Sequence, residues 1–128
     1  LHDGMRVGPE RIPAIVRIRL LGWDVDLFSS RSDYDLACLE RATPAVVEGV
    51  EIKVVSPEDL IIHKLHKLKD DRRKLLQDAA DLKAIAEARG DALDEAWLRK
   101  WLEPTDADFV LRLRTLADSE MVQWLSSR

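Results

Sequence analysis

Two aspartates in a short alternating segment have the spacing of a divalent-cation site. The run from Trp23 to Phe28 alternates apolar and acidic residues, which predicts a strand with Asp24 and Asp26 on one face. At a rise of about 3.3 Å per residue, the two carboxylates would lie within about 7 Å of each other. Mg²⁺ in proteins is typically held by one or two carboxylates, with substrate phosphates completing its shell. The other interpretation is a solvent-exposed edge strand whose charges discourage pairing with further strands.

A lysine and an aspartate fall on the apolar faces of two predicted helices. Lys64 lies within the apolar stripe of the first helix, and Asp78 lies within that of the second. The stripes consist of Leu60, Ile61, Leu65 and Leu68, and of Leu75, Ala79, Leu82 and Ala86. A short connection makes consecutive helices antiparallel neighbours, so the two charges can meet. Three interpretations are open. The two residues form a buried ion pair, or the Lys64 stem packs in the core while its ammonium reaches water, or both residues belong to a functional site.

Basic residues surround the predicted turn between these two helices. They are Lys64, Lys67, Lys69, Arg72, Arg73 and Lys74. Such a group is either solvated surface or a contact surface for phosphates. The three histidines, His2, His63 and His66, have no spacing that supplies a third metal ligand. Cys38 has no indicated partner histidine, which favours a packing role.

The first part of the chain has the period of strands, interrupted by one short helix. Gly22 supplies the turn of a first predicted hairpin, and Glu48 with Gly49 supplies the turn of a second. Pro44 is predicted to end the helix between them. The predicted elements are strands at 14–20 and 23–28, a helix at 34–42, and strands at 45–47 and 50–55.

The second part of the chain changes to the period of helices. Ser56 and Pro57 have the positions of an N-cap and a first helical residue, and Gly90 has that of a C-terminal cap. The predicted helices cover 57–69, 72–89, 93–103, and Thr105 or Asp106 to 125. This order predicts an α+β fold, a small sheet of two hairpins followed by a bundle of about four helices. We expect one domain, with a sheet half at 1–56 and a helical half at 57–128.

The composition is typical of a globular protein in a reducing compartment. Of the 128 residues, 46% are hydrophobic and 34% are charged. No apolar run approaches the roughly 20 residues that span a bilayer. The single cysteine excludes an internal disulfide framework. A net charge of −4 gives no overall attraction to nucleic acid. These features predict a soluble protein of the cytoplasm.

Three segments have the order and spacing of motifs in one enzyme family. Residues 22–28, Gly-Trp-Asp-Val-Asp-Leu-Phe, resemble a "vDl" strand. Residues 54–65 resemble a "v.sPEDLi..Kl" segment, and residues 77–82 resemble a "kDl.Dl" helix. Together they resemble the bacterial nucleotidyltransferases of the abortive-infection toxin type and their small stand-alone relatives. The resemblance spans roughly residues 15–102 and implies a partial nucleotidyltransferase fold.

The resemblance implies transfer of a nucleotidyl group from a nucleoside triphosphate to a hydroxyl acceptor, with Mg²⁺ as cofactor. By the matched positions, Asp26 is the metal-site carboxylate and Asp24 is the second choice. Asp26, Lys64 and Asp78 are implied to be catalytic. The residues implied to bind the nucleotide or the acceptor are Lys64, Arg72, Arg73 and Asp81. The implied partners are the triphosphate, a tRNA or protein acceptor, and either a second copy of the chain or a cognate antitoxin. No membrane contact is implied.

The printed sequence departs from the family pattern before Asp26. Family members carry a Gly-Ser loop for the triphosphate and then a strand with two metal-binding aspartates, and neither precedes Asp26. The run from Ser32 to Leu36 resembles the motif that carries the two metal-binding aspartates. In the family that motif lies on a strand before the "vDl" segment, whereas this run follows the "vDl" segment and continues as a helix. The implied magnesium site is therefore weak or incomplete, and we expect the chain to be inactive alone. The alternative is a non-catalytic protein-interaction or antitoxin-like regulatory domain.

Overall fold

The structure is a computed structural model that describes residues 15–28 and 32–128. Its strands are β1 (Ile15–Leu20), β2 (Trp23–Phe28), β3 (Thr43–Val47) and β4 (Val50–Val54). Its α-helices are α1 (Asp33–Arg41), α2 (Pro57–Asp70), α3 (Leu75–Arg89), α4 (Glu95–Trp101), α5 (Pro104–Leu111) and α6 (Asp118–Ser127). Two antiparallel hairpins followed by helices confirm the α+β class.

The chain divides into two compact units, residues 1–40 and residues 41–128. Within the described residues, the first unit contains β1, β2 and α1 as far as Glu40, and the second contains Arg41, β3, β4 and the remaining helices. The expectation of one domain, with halves at 1–56 and 57–128, stays a prediction.

The first hairpin has one apolar and one charged face. β1 and β2 pair antiparallel around a turn at Leu21 and Gly22, both with positive φ, of 50° and 85°. The apolar cross-strand pairs are Val16–Leu27, Ile18–Val25 and Leu20–Trp23. The charged pairs are Arg17–Asp26 and Arg19–Asp24. Ala14, which was predicted to open β1, lies outside the described residues.

The second hairpin begins earlier than the sequence predicts. β3 starts at Thr43, so Pro44 is a strand residue and not only the residue that ends α1. A two-stranded sheet tolerates this, because both of its strands are edge strands and proline can place its missing N–H on the outer edge. Glu48 and Gly49 form the predicted turn, with φ of 48° and 80°.

Helix α2 begins as predicted, whereas α3 begins later. The Ser56 hydroxyl accepts a hydrogen bond from the backbone N–H of Asp59, which confirms Ser56 as the N-cap. The start of α3 at Arg72 was wrong, since α3 starts at Leu75. The reason is local, because the Asp71 carboxylate accepts from the backbone and guanidinium of Arg73 and holds the chain in a turn.

The last predicted helix is in fact two helices. α5 ends at Leu111, a 3₁₀ turn covers Leu113–Thr115, and α6 starts at Asp118. The Glu120 carboxylate accepts from the backbone N–H of Ala117, which stabilises the new start. The second unit therefore contains five α-helices instead of about four. None of the helices in the described ranges combines the length and apolar character needed to cross a membrane.

The core of the second unit lies between α2, α3 and the helices that follow. Its α2 side chains are Ile61, Ile62, Leu65 and Leu68, all nearly inaccessible to solvent. The predicted stripe was wrong at one position, because Leu60 is exposed and Ile62 is buried. α2 packs against both α3 and α4, so its buried arc is wider than a single stripe and is rotated toward Ile62.

Candidate functional site

Helices α2 and α3 bring two lysines and two aspartates together. The Lys64 ammonium lies 3.5 Å from Oδ1 of Asp78 and 3.1 Å from Oδ2 of Asp81. The Lys67 ammonium donates to Oδ2 of Asp78 at 2.8 Å. We call Lys64, Lys67, Asp78 and Asp81 the lysine–aspartate cluster. The predicted contact between Lys64 and Asp78 is present, and Lys67 and Asp81 extend it.

The lysine–aspartate cluster lies at a partly exposed edge of the helical core. The side chain of Asp78 is 4% exposed, that of Lys64 is 22% exposed, and that of Asp81 is 38% exposed. The hydrogen bond from Lys64, followed by one from Gln77, lowers the pKa of Asp81. The stability from this contact is present above the pKa of an unfolded aspartate, about 3.9, and is lost as the pH falls below it.

The two arginines predicted to bind the nucleotide or the acceptor both have intramolecular partners. Arg72 donates to the backbone carbonyls of Leu68, Ser126 and Arg128, where it binds the end of α6. The guanidinium of Arg73 pairs with the carboxylate of Asp71, and this hydrogen bond lowers the pKa of Asp71. Binding roles for Arg72 and Arg73 stay predictions.

Asp24 and Asp26 share one face of β2, as predicted, and each faces an arginine of β1. Arg17 donates to both carboxylate oxygens of Asp26, at 2.7 and 3.1 Å. Arg19 donates to Asp24 at 2.8 Å. The hydrogen bond to Asp26 raises the pKa of Arg17. Asp26 belongs to the first unit and Lys64 to the second, so the predicted shared cleft stays a prediction.

The surroundings of Asp24 and Asp26 do not fit a magnesium ion. Two carboxylates beside two guanidinium groups carry no net charge, whereas a divalent cation needs an excess of negative ligands. Across residues 15–28 and 32–128, no three His, Cys, Asp or Glu side chains are grouped as metal ligands. The weak or incomplete Mg²⁺ site stays a prediction.

Removing the two arginines is expected to increase metal binding by Asp24 and Asp26. In the unaltered chain, Mn²⁺ has to displace guanidinium groups, so we expect a Kd on the order of 1 mM or weaker by calorimetry. The variant Arg17→Gln/Arg19→Gln should bind about tenfold more tightly, because the carboxylates lose their charge-assisted partners. Arg99→Gln/Arg114→Gln is the control of equal charge, because it also removes two arginines that are paired with aspartates. Tight binding to the unaltered chain that Asp26→Ala abolishes would contradict this expectation.

A second polar cluster lies at the start of α2, a segment interpreted from the sequence as a helix start and as part of the motif at residues 54–65, with no role assigned to its acids. Its members, which we call the Glu58–Asp59 cluster, are Arg41, Ser56, Glu58, Asp59, Asp94 and Trp97. Glu58 is 1% exposed and Asp59 is 0% exposed. Carboxylates are almost never buried to this degree without partners. Both lie in the first turn of α2, where the helix dipole favours negative charge.

Each carboxylate of the Glu58–Asp59 cluster has specific donors. Arg41 and the backbone N–H of Asp94 donate to Glu58, each at 3.1 Å. The indole N–H of Trp97 and the hydroxyl of Ser56 donate to Asp59, each at 2.8 Å. Arg41 also pairs with Asp94 at 3.0 Å and stacks over the Trp97 ring at 4.4 Å. The cluster therefore joins the starts of α2 and α4. The two consecutive acidic residues in the first turn of α2 were the sequence signal from which this cluster could have been predicted.

The remaining candidates are placed as follows. Cys38 is buried in α1, which agrees with packing. Burial, and then the charge of Lys69, lower the pKa of His66. His2 lies outside the described residues. The Ser32 hydroxyl accepts a hydrogen bond from the backbone N–H of Asp35, at 3.1 Å, and so caps α1. The run from Ser32 to Leu36 is therefore the start of a helix, as predicted.

The family comparison matches α1 and the second unit as far as Arg114, and it leaves out α6. Residues 33–114, nearly two-thirds of the chain, match the sequence profile described as "Nucleotidyl transferase of unknown function (DUF2204)". The matched segment includes the lysine–aspartate and Glu58–Asp59 clusters and leaves out Asp24 and Asp26. No curated protein and no solved structure gave a match to the chain.

Proposed function

The chain belongs to the nucleotidyl transferase family of unknown function, and from this premise we propose that it forms part of a nucleotidyltransferase-like enzyme. In the proposed reaction, the oxygen of an acceptor hydroxyl forms a bond to the α-phosphorus of a nucleoside triphosphate. The bond to the bridging oxygen of the pyrophosphate breaks, and the hydroxyl proton is lost to a base. Pyrophosphate and the nucleotidylated acceptor are the products.

The position of Lys64 carries this proposal. An ammonium has three N–H donors, and among the described residues Asp78 and Asp81 accept from Lys64. The two carboxylates fix the ammonium, and the Lys64 side chain as a whole is partly exposed. We assign Lys64 to a phosphate of the triphosphate, and Asp78 and Asp81 to the positioning of Lys64. Asp26, which the resemblance implies as a metal ligand, is paired with Arg17 in this chain, so we assign it no step in the reaction.

The proposed enzyme needs groups that this sequence does not supply. The printed sequence contains no Gly-Ser pair, and the surroundings of Asp24 and Asp26 do not fit Mg²⁺. We propose that a further segment or a second chain provides these groups, and that residues 1–128 bind the triphosphate without turning it over. The same proposal places the protein among toxin-type transferases of the bacterial cytoplasm, with tRNA or protein as acceptor and a cognate antitoxin as a partner.

A second candidate is a non-catalytic interaction or antitoxin-like regulatory domain. The ion pairs Arg17–Asp26 and Arg19–Asp24 favour it, because they use the carboxylates that a transferase would direct to metal. Both pairs are solvent-exposed, so water and salt screen them and they hold the carboxylates only weakly.

Triphosphate binding tests the proposed function. We expect the chain to bind at least one of the four nucleoside triphosphates in calorimetry with Mg²⁺ present. Lys64→Gln should weaken that binding about tenfold or more, since a charge-assisted hydrogen bond contributes roughly 1.5–3 kcal/mol. Lys69→Gln, on the same helix, changes the net charge equally and should weaken it less than about threefold.

The outcomes separate the two candidates. Equal losses for Lys64→Gln and Lys69→Gln would show a general charge effect and contradict the role of Lys64. Failure to bind any triphosphate would favour the interaction domain. A separate assay with α-phosphate-labelled triphosphates and bulk tRNA or protein measures turnover. Incorporation of label by the chain alone would contradict the incompleteness of the site.

A further inference from the structure

The outer edge of β4 has the features of a pairing surface. β4 belongs to a two-stranded sheet, and its side chains from Val50 to Val54 are all exposed. Across the part of the chain that the structure describes, only β3 pairs with β4. Isolated two-stranded sheets are marginally stable in water, and three or more strands are usually needed. A further strand along β4 would therefore stabilise the hairpin.

The register of the hairpin determines which backbone groups face the outer edge. The two-residue turn at Glu48 and Gly49, with both φ values positive, makes Val47 and Val50 the hydrogen-bonded pair that closes it. Hydrogen-bonded and non-hydrogen-bonded pairs alternate along an antiparallel ladder. Glu51 and Lys53 therefore direct their backbone N–H and C=O groups outward, away from β3.

The outer edge of β3 differs from that of β4 in one respect. Pro44 is paired with Lys53, so its backbone nitrogen also faces outward, and proline has no N–H to donate there. This position blocks continuous pairing along β3. β4 contains no proline, so its outer edge keeps every donor and acceptor. The pairing edge of this sheet is therefore that of β4.

The side chains of β4 are complementary to those of the same strand run antiparallel. The sequence Val50-Glu51-Ile52-Lys53-Val54 places Glu51 opposite Lys53 of a second copy when Ile52 lies opposite its own equivalent. Val50 then lies opposite Val54, so the apolar side chains form one face and the ion pairs form the other. The outward backbone groups of Glu51 and Lys53 meet as hydrogen-bonded pairs in this register.

We propose that β4 pairs antiparallel with β4 of a second copy of this chain. The product is a four-stranded sheet in the order β3–β4–β4–β3, with a two-fold axis at Ile52. Such an interface is isologous, which is the commonest arrangement in homodimers. The first hairpin does not offer this complementarity, because Arg17 and Arg19 are already paired with aspartates of the same hairpin.

Charge exchange along β4 tests the proposal in sedimentation experiments on the full chain. The unaltered chain is expected to dimerise as its concentration rises. E51K or K53E alone sets like charges opposite each other at two symmetric positions and should raise the dimer Kd about tenfold or more. The double variant E51K/K53E restores both pairs and should return the Kd to within about threefold. Glu87→Lys and Lys69→Glu, at exposed helix positions, change the net charge as E51K and K53E do and are the matched controls.

Two further measurements complete the test. An equimolar mixture of the E51K and K53E chains should form a heterodimer, while circular dichroism shows that each variant is folded. Amide hydrogen exchange of Glu51 and Lys53 should slow with increasing concentration, and that of Val46, at the outer edge of β3, should not. A monomer at all concentrations, a dimer unaffected by single charge reversal, or a double variant that fails to dimerise would overturn the proposal.

Discussion

Asp59→Ala is expected to lower the free energy of unfolding by about 3 kcal/mol, because it leaves a buried donor unsatisfied and removes a charge from the start of a helix. Asp59 is fully buried, and its carboxylate accepts from the Trp97 indole and the Ser56 hydroxyl. Alanine would leave a buried indole donor unsatisfied, at a cost of roughly 1–3 kcal/mol. It would also remove a negative charge from the first turn of α2. Denaturant unfolding followed by circular dichroism measures the loss.

The opposite end of the same helix supplies the control. Asp70→Ala removes an exposed aspartate from the last turn of α2, where the dipole disfavours negative charge. We expect it to change stability by less than about 0.5 kcal/mol. Trp97→Phe keeps an aromatic ring at this position but removes the indole N–H, so its effect and that of Asp59→Ala should not add. Additive effects of the two substitutions would contradict the hydrogen bond between Trp97 and Asp59. A loss below about 1 kcal/mol for Asp59→Ala would contradict the stabilising role of the buried carboxylate.

The sequence predicts the hairpins and the start of α2 because their signals are local. Gly22 and Gly49 occupy turn positions with positive φ, where glycine costs least. Ser56 and Pro57 together determine the first turn of α2. The alternation of β2 places Asp24 and Asp26 on one face, and the two-residue turn then sets each opposite an arginine of β1. All of these signals act within a few residues.

Contacts between distant residues could not be predicted in the same way. Arg41 and Asp94 are separated by 53 positions, and their contact depends on how α4 packs against α2. Burial of Glu58 depends on the same packing. Lys67 lay outside the predicted apolar stripe, yet its flexible stem reaches Asp78 from the edge of the helix. The fold class follows from periodicity, whereas the partners of each charge follow from tertiary packing.

Simultaneous removal of Lys64 and Lys67 is expected to destabilise the fold by about 3–5 kcal/mol, because the buried carboxylate of Asp78 loses both cations. Each single change to methionine leaves Asp78 with the other lysine. We therefore expect a loss of only about 1 kcal/mol for either Lys64→Met or Lys67→Met. The double variant should lose about 1–3 kcal/mol more than the two single losses together. Denaturant unfolding of the unaltered chain, the two single variants and the double variant measures this double-mutant cycle.

Neutralising the carboxylate distinguishes a stranded charge from lost packing. Adding Asp78→Asn to the double variant removes the buried charge while keeping the shape of the side chain, and about half of the lost stability should return. If the destabilisation comes from the lost packing of the two lysine side chains, Asp78→Asn will restore no stability. If the two single losses simply add, Lys64 and Lys67 do not share Asp78. Since Lys67 compensates for Lys64 in stability, a fall in triphosphate binding by Lys64→Met in a fully folded protein would reflect binding and not unfolding.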